Sequence, residues 1–229
     1  MPHRPFSNYP SRNGTGDLTS QNNEDNRLWN ALSDCPFKSY VDIGAGHPTE
    51  INVTKLFYDA GWRGINVEPG QNFDLFAEQR PEDNNIKAAV SNQRGEITFY
   101  HSPVHPDLST VVPTEGWSTS TVFSVTLADV FFWLSETCNG FLKVDVEGHE
   151  YEVLSSNNWE MYRPWVVVVE AIDANTLQPN HFKWEPILLE ADYNFAYFDG
   201  INRFYYRSDH PELEPLLQID LPTLKEYPR

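Results

Sequence analysis

The chain has 229 residues, of which 40% are hydrophobic and 14% aromatic, and its formal net charge at pH 7 is −17. This length and hydrophobic content are sufficient for one substantial core, so we expect a single domain. The strong negative charge would repel phosphate backbones and anionic lipid surfaces. We therefore expect no nucleic-acid partner.

The sequence predicts neither a membrane span nor a secretory leader. No apolar run approaches the ~20 residues that cross a bilayer, and the N-terminus lacks a basic region followed by an apolar stretch and a small-residue cleavage site. We expect a soluble, cytoplasmic protein. Residues 1–19 are rich in Pro, Asn, Ser and Gly, which predicts a flexible N-terminal arm before a single domain over residues 20–229.

From residue 20 onward, helix-like and strand-like runs alternate. An acidic first turn followed by Leu28, Trp29 and Leu32 predicts a first helix that begins after Ser20. The next predicted elements are a strand at 40–43, a helix at 50–60, a strand at 64–67, a short helix at 73–78 and a strand at 86–90.

In the second half, two predicted β segments at 96–101 and 122–126 flank a polar stretch near 102–120, which we predict to be a long, functional loop. After it come a strand at 141–146, a helix at 148–155, a strand at 165–171, a helix at 185–191 and a β-hairpin with strands at 195–198 and 203–207. The alternation predicts a doubly wound α/β sheet that is mostly parallel, with helices on both faces. The hairpin adds one antiparallel strand.

A glycine turn follows the first predicted strand, in the segment from Asp42 to Gly46 (DIGAG). In doubly wound sheets, ligands bind beyond the carboxyl ends of the strands, and glycine lets the backbone turn sharply and approach a ligand. Glu68 follows Gly46 at roughly the ~20 residues expected of an acid that accepts hydrogen bonds from ribose hydroxyls. The segment therefore predicts a nucleoside cofactor, although any strand-turn-helix unit can carry Gly-x-Gly.

The chemistry around this turn favours S-adenosylmethionine over NAD. A nicotinamide enzyme would use G-x-G-x-x-G, and Thr49 stands where the third glycine would be. Asp42 would lie poorly beside a pyrophosphate, but it suits a ligand that carries an ammonium and a sulfonium. S-adenosylmethionine has both positive groups, one ribose and no phosphate.

The sequence also resembles the FkbM family of S-adenosylmethionine-dependent methyltransferases. The resemblance runs from residue 20 to about 207 and is carried by the segments 20–25 (SQNNED), 40–46 (YVDIGAG), 61–69 (GWRGINVEP), 108–110 (LST), 143–150 (KVDVEGHE), 163–165 (RPW) and 199–205 (DGINRFY). One departure is His47-Pro48, where many family members have Asn-x-Gly.

The resemblance implies a class I methyltransferase (Rossmann-like) fold with seven strands, the last of them antiparallel. It also implies methylation of a hydroxyl, often on a sugar of a surface glycan or polysaccharide. The residues that it implies for cofactor binding are Gln21, Asp42, Gly44, Ala45, Gly46, Glu68 and Ser91.

Methyl transfer to a sugar hydroxyl needs alignment at about 3 Å and a group that takes the hydroxyl proton. In the implied topology Asp145 ends a strand beside the cofactor strand, and we predict that it is the base. His149 is the second candidate, because it would lie one helical turn beyond Asp145. A surface histidine is the alternative for His149, and a structural role at a helix start is the alternative for Glu147.

Other polar and aromatic residues are candidates for binding the acceptor. We predict this role for Ser109, Thr110, Glu170, His181, Trp184 and Asn202, since hydroxyls and amides orient sugars and aromatic rings stack on them or pack in cores. Asp145, Glu170 and Asp173 could instead bind Mg²⁺. We expect metal-independent chemistry.

The function predicted from the sequence is methyl transfer to a sugar hydroxyl, such as that of a terminal deoxyhexose of a surface glycan. One alternative is an O-methyltransferase of a lipid or small metabolite. Another is a non-catalytic module that binds the cofactor or a glycan within a larger glycosyltransferase polypeptide.

Overall fold

The computed structural model describes residues 20–134, 139–173 and 176–218. The predicted arm over residues 1–19 lies outside this part of the chain. The helices are α1 (Glu24–Leu32), α2 (Lys55–Asp59), α3 (Phe73–Gln79), α4 (Leu127–Leu134), α5 (Glu150–Ser155), α6 (Glu185–Glu190) and α7 (Leu213–Gln218). The strands are β1 (Ser39–Ile43), β2 (Arg63–Val67), β3 (Asn84–Ile86), β4 (Ala89–Val90), β5 (Gly95–His101), β6 (Ser118–Val125), β7 (Phe141–Val144), β8 (Val166–Glu170), β9 (Tyr193–Phe198) and β10 (Asn202–Arg207).

Seven strands form the large sheet, in the order β3-β2-β1-β7-β8-β10-β9. The pairs from β3 to β8 are parallel, whereas β10 is antiparallel to both β8 and β9. This arrangement confirms the mostly parallel sheet, and the hairpin strand lies where the sequence predicts it. Chain order reverses between β1 and β7, so a crevice opens beyond the carboxyl ends of these two strands.

Helices cover both faces of the large sheet because successive strand residues point to opposite sides. On one face, Val41 and Ile43 of β1 pack in a core with residues of α4, α5 and α6. On the other face, Tyr40 of β1 packs in a second core with residues of α1, α2 and α7. The doubly wound architecture follows from this alternation.

A second, three-stranded sheet has the order β4-β6-β5. The sequence predicts one strand over residues 86–90, but the structure divides it between the two sheets. Strand β3 pairs with β2 in the large sheet, and β4 pairs with β6 in the small one. The division follows a tight turn in which the Ala88 amide donates to the Ile86 carbonyl at 3.1 Å.

Two predicted helices begin later than expected, at positions where the backbone has positive φ. Helix α2 begins at Lys55 rather than residue 50, after Ile51 with φ of 50°. Helix α5 begins at Glu150 rather than residue 148, because Glu147 and Gly148 have φ of 55° and 100°. The sequence does not predict helices α4 and α7. None of the helices in the described ranges is long and apolar enough to cross a membrane.

Candidate active site

A cavity of about 320 Å³ opens at the carboxyl ends of β1, β2 and β7. The segment that follows β5 covers one side of it. The lining includes apolar residues of both sheets and of the turn between β3 and β4, namely Ile43, Val67, Ala88, Ala89, Val90 and Phe99. Its acidic lining residues are Glu68, Asp107, Asp145, Glu147 and Glu170.

The glycine turn after β1 forms one wall of this cavity. Gly44 and Gly46 have φ of 74° and 61°, a backbone conformation that glycine adopts without strain. The amides of Gly44 and Ala45 donate to the Val67 carbonyl at 3.0 and 3.1 Å, so the turn is tied to β2. A Cβ on Gly44 would lie 1.8 Å from the Asp145 carbonyl oxygen, which makes glycine necessary where the ends of β1 and β7 meet.

The chain after the glycine turn is held by a fully buried arginine. Arg80 pairs with Asp83 at 2.8 Å and donates from Nη1 to the Pro48 carbonyl and to Asn52 Oδ1, both at 3.1 Å. The Asn52 amide in turn donates to the Ala45 carbonyl at 3.0 Å. These bonds fix the backbone on either side of His47-Pro48.

Glu68 directly follows β2, and its side chain contacts the same turn. Its Oε2 accepts a hydrogen bond from the Gly46 amide at 2.9 Å, and its Oε1 accepts one from the Gly70 amide at 2.6 Å. Burial raises the pKa of Glu68 to about 7, although these two amides favour the charged form. The carboxylate is therefore anchored at the cavity wall with its remaining lone pairs available to a ligand.

Lys143 lies between two carboxylates at the adjacent wall. Its Nζ is 3.5 Å from Asp42 Oδ1 and 3.3 Å from Asp145 Oδ2. Burial disfavours the charged ammonium, but the charges of Asp145 and Asp42 outweigh burial and raise the pKa of Lys143. Asp145 lines the cavity, whereas Asp42 lies behind the wall and also accepts a hydrogen bond from Thr54 Oγ1 at 3.1 Å.

The family model of the methyltransferase FkbM domain matches residues 42–195, a range that contains Asp42, Glu68, Lys143 and Asp145. The chain belongs to the FkbM methyltransferase family. No curated protein matches it. A crystal structure of methyltransferase FkbM from Methylobacillus flagellatus KT shares 13% identity with this FkbM domain, with a TM-score of 0.45. The alignment covers 73% of this chain and 43% of that one, so this chain spans less than half of that protein.

Most residues predicted to bind the cofactor of this FkbM domain lie together at the cavity. Gln21, Gly44, Ala45, Gly46 and Glu68 line it. Two other predicted cofactor residues, Asp42 and Ser91, do not. Asp42 accepts a hydrogen bond from Thr54, which precedes α2, and Ser91 is buried and contacts the ring of His149.

His149 lines the cavity, but its geometry differs from the prediction. It precedes α5 rather than lying one helical turn beyond Asp145, because the positive φ of Glu147 and Gly148 interrupts the helix. Its Nε2 is 2.9 Å from Ser91 Oγ, and its Nδ1 is 3.3 Å from a carboxylate oxygen of Glu152. Burial lowers the pKa of His149, which favours the neutral ring near pH 7.

The predicted acceptor residues fall into two groups. Ser109, Thr110 and Glu170 line the cavity, and Thr110 Oγ1 donates to the Glu147 carbonyl at 2.9 Å. The others, His181, Trp184 and Asn202, are not among its lining residues.

The structure corrects the prediction that Trp184 stacks on a sugar, and it shows Asn202 outside the cavity lining. The Trp184 ring is 1% exposed and packs edge-on to Tyr205 in the core, so it has no surface for stacking on a sugar. The Asn202 amide donates to Glu24 Oε1 at 2.9 Å and joins the hairpin to α1. Its role toward an acceptor stays a prediction.

The carboxylates that come together differ from the trio considered for Mg²⁺. Oxygen atoms of Asp145, Glu147 and Glu170 all lie within 4.8 Å of one another. Asp173 instead accepts hydrogen bonds from the amide and hydroxyl of Thr176 at 2.8 and 3.0 Å. Three carboxylates suit a hard divalent cation, but a cluster of acids also occurs without one.

Sequence reasoning gave no role to two residues of this cavity, Lys143 and Asp107. A charged residue inside the apolar run Phe141–Val144 was the available signal for Lys143, because a lysine in a buried strand requires partners. Asp107 lies in the long polar stretch, where only the predicted functional loop pointed toward it.

Proposed function

We propose that this FkbM domain is an S-adenosylmethionine-dependent O-methyltransferase with a class I fold, and that its acceptor is a sugar hydroxyl of a glycan or polysaccharide. One observation carries the proposal: the glycine turn, Glu68 and Asp145 face one cavity from three neighbouring strands. Family membership supports methyl transfer in general. The cofactor, the acceptor and the predicted cytoplasmic location belong to the proposal.

The residues around the cavity fit S-adenosylmethionine better than a dinucleotide. Among the described residues that line it, Lys143 is the only Lys or Arg, and two carboxylates already engage its ammonium. A pyrophosphate would therefore meet carboxylates without a matching cation. The acidic lining suits a ligand with positive groups, and the apolar lining suits an adenine ring.

In this proposal, the residues of the site have different roles. Glu68 accepts hydrogen bonds from the ribose hydroxyls, and the Gly44–Gly46 turn supports the amino-acid end. The bound cofactor supplies an electrophilic methyl group on a sulfonium. Asp145 accepts the proton of the attacking hydroxyl at its carboxylate, and Lys143 holds that carboxylate in place.

The acceptor part of the proposal depends on the polar residues at the cavity. Ser109, Thr110 and Glu170 offer hydroxyls and a carboxylate, the groups that orient sugar hydroxyls. The resemblance to family members that modify glycans supports the same acceptor class. A glycan is thus the proposed partner, and attachment to a larger glycosyltransferase polypeptide stays a prediction.

Transfer of a labelled methyl group tests this function. Purified protein is incubated with labelled S-adenosylmethionine and separate panels of sugars, lipids and small metabolites, with and without EDTA. We expect labelled sugars, no effect of EDTA, and a loss of about 10²-fold or more in Asp145→Asn. The matched control is Asp59→Asn, an exposed acid on α2 that pairs with Lys55.

Three results would count against parts of the proposal. Label on lipids or metabolites alone would overturn the sugar acceptor, and undiminished transfer by Asp145→Asn would overturn the assigned base. Loss of transfer with EDTA would instead favour a metal held by Asp145, Glu147 and Glu170.

A further inference from the structure

Asp107 occupies the position at the glycine turn that the sequence assigns to Asp42. We infer that Asp107 provides the carboxylate that binds the amino group at the amino-acid end of S-adenosylmethionine. This inference rests on the proposed function and adds a residue, from outside the large sheet, that recognises one chemical group of the cofactor.

Asp42 is not available for this task. Its side chain is 1% exposed and does not line the cavity. Its two oxygens face Lys143 Nζ at 3.5 Å and Thr54 Oγ1 at 3.1 Å. A ligand ammonium would have to displace Lys143 from a buried ion pair, which is costly.

Asp107 lies directly over the glycine turn. It belongs to a 3-10 turn (Pro106–Leu108) in the segment between β5 and β6, and it lines the cavity. Its Oδ1 lies 3.4 Å from the point that a Cβ on Gly46 would occupy. The carboxylate is therefore next to the glycine turn, and a side chain at position 46 would contact it.

The position of Asp107 is fixed by neighbours outside the cofactor turn. Asn72 Nδ2 donates to Asp107 Oδ1 at 2.6 Å, and the backbone amide of Asp107 donates to His105 Nδ1 at 3.4 Å. The side chain remains 35% exposed. The carboxylate is therefore oriented in advance and still accessible to an incoming amino group.

Partial burial of the Asp107 carboxylate favours a partner that neutralises its charge. Burial and the charge of Asp145 raise the pKa of Asp107, against the influence of His105, His47 and Lys143. A ligand ammonium placed here would neutralise a carboxylate that is partly removed from water. Hydrogen bonds between an ammonium and a carboxylate are among the stronger ones in proteins.

A purely structural role for Asp107 would be to hold its loop against the turn. Asp107→Asn separates the two roles, because asparagine retains Oδ1 for the bond from Asn72 but loses the charge. The control variant is again Asp59→Asn, which removes an equal charge at a distance from the cavity.

The test is a thermodynamic cycle of the double-mutant type. The carboxylate charge is removed from the protein, the amino group is removed from the ligand, or both are removed. Calorimetry measures the affinities of wild type, Asp107→Asn and Asp59→Asn for S-adenosylhomocysteine and for its analogue that lacks only the amino group. A weak ligand is measured by competition. Such a cycle isolates the interaction between the two groups.

We expect Asp107→Asn to lower the affinity for S-adenosylhomocysteine by about 10- to 100-fold. In wild type and Asp59→Asn, removal of the amino group should cost a similar factor. The affinity of Asp107→Asn for the analogue without the amino group should stay within about twofold of the wild-type value. If Asp107→Asn lost affinity equally for both ligands, or for neither, the inference about Asp107 would be wrong while the proposed function would stand. Failure of wild type to bind S-adenosylhomocysteine at all would overturn the proposed function as well.

Discussion

Lys143 is the residue that connects the buried side of the sheet to the cavity. Its side chain is 12% exposed, and its ammonium lies between the carboxylate of Asp42 behind the wall and that of Asp145 at the wall. An isolated charge in such a place would be strongly unfavourable, so each group depends on its partner. The ion pairs of Lys143 therefore hold the Asp145 carboxylate in position and also stabilise β7.

Replacing Lys143 with methionine is expected to destabilise the protein by about 3–5 kcal/mol, because Asp42 would remain buried without its cation. Lys143→Met combined with Asp42→Asn should recover about half of that loss or more. Denaturant unfolding measures both. Lys87→Met is the control, since Lys87 pairs with Asp74 on the surface and should change stability by less than about 1 kcal/mol. Strictly additive losses in the double variant would contradict the ion-pair account.

The pKa of Glu68, about 7, predicts that cofactor affinity depends on pH. In the proposed function ribose hydroxyls donate to the charged carboxylate, so the affinity for S-adenosylhomocysteine should rise by about tenfold between pH 6 and pH 8. Glu68→Gln should bind more weakly and with little pH dependence. Titration calorimetry at several pH values measures this, and a pH-independent affinity in wild type would contradict it.

At the scale of elements, the start of α5 is controlled by Glu150. This side chain is 1% exposed, accepts a hydrogen bond from the Gly148 amide at 2.9 Å, and faces the Asn180 amide at 3.3 Å. Burial raises the pKa of Glu150 to about 7. Asn180 Oδ1 is buried without a hydrogen-bond partner among the described residues.

Glu150→Gln is therefore expected to stabilise the protein by about 1–3 kcal/mol at pH 8, where the wild-type carboxylate is charged. A glutamine keeps the bond from Gly148, and its amide can donate to Asn180 Oδ1 once that side chain turns. Below about pH 5 the gain should vanish. Thermal unfolding at both pH values checks this against Glu190→Gln on the exposed end of α6, and a loss of stability at pH 8 would contradict it.

The sequence predicts elements well where a hydrophobic pattern is strong, as in the all-valine run of β8. It fails where a tertiary contact decides the backbone. The strand expected at 86–90 is divided because Ala89 and Val90 pair with β6, which lies far along the chain. The missed α4 (LADVFFWL) leaves Phe132 and Trp133 exposed, so its apolar residues do not follow a clear helical stripe.

The same limit applies to the candidate site. Gly44, Gly46 and Glu68 are predictable because turn geometry and spacing are local properties. The sequence does not predict Asp107 as a site residue, because its position beside Gly46 depends on how the segment after β5 folds back onto the sheet. The sequence favours Asp42 as an acid beside the glycine turn, but strand alternation turns its side chain toward Lys143.

At the scale of the molecule, three buried glutamates share one pH dependence. Burial raises the pKa of Glu24, Glu68 and Glu150 to about 7, so the folded protein holds protons that the unfolded chain has released above about pH 4.5. The stability that they contribute is complete below the unfolded value and is lost as pH rises to about 7.

The protein is therefore expected to be more stable at pH 5.5 than at pH 8, by on the order of a few kcal/mol. The net charge of −17 acts in the same direction, but salt screens repulsion between surface charges. Thermal unfolding in about 0.5 M NaCl should retain most of the difference. A melting temperature that is constant or rises with pH under these conditions would contradict the burial account.

The central claim is that the glycine turn, Glu68 and Asp145 form one cofactor site, and a crystal structure with S-adenosylhomocysteine tests it most directly. We predict density in the cavity, with the ribose at Glu68, the amino-acid end at the Gly44–Gly46 turn and the sulfur on the side of Asp145. Density at another place, or a dinucleotide in this cavity, would contradict it.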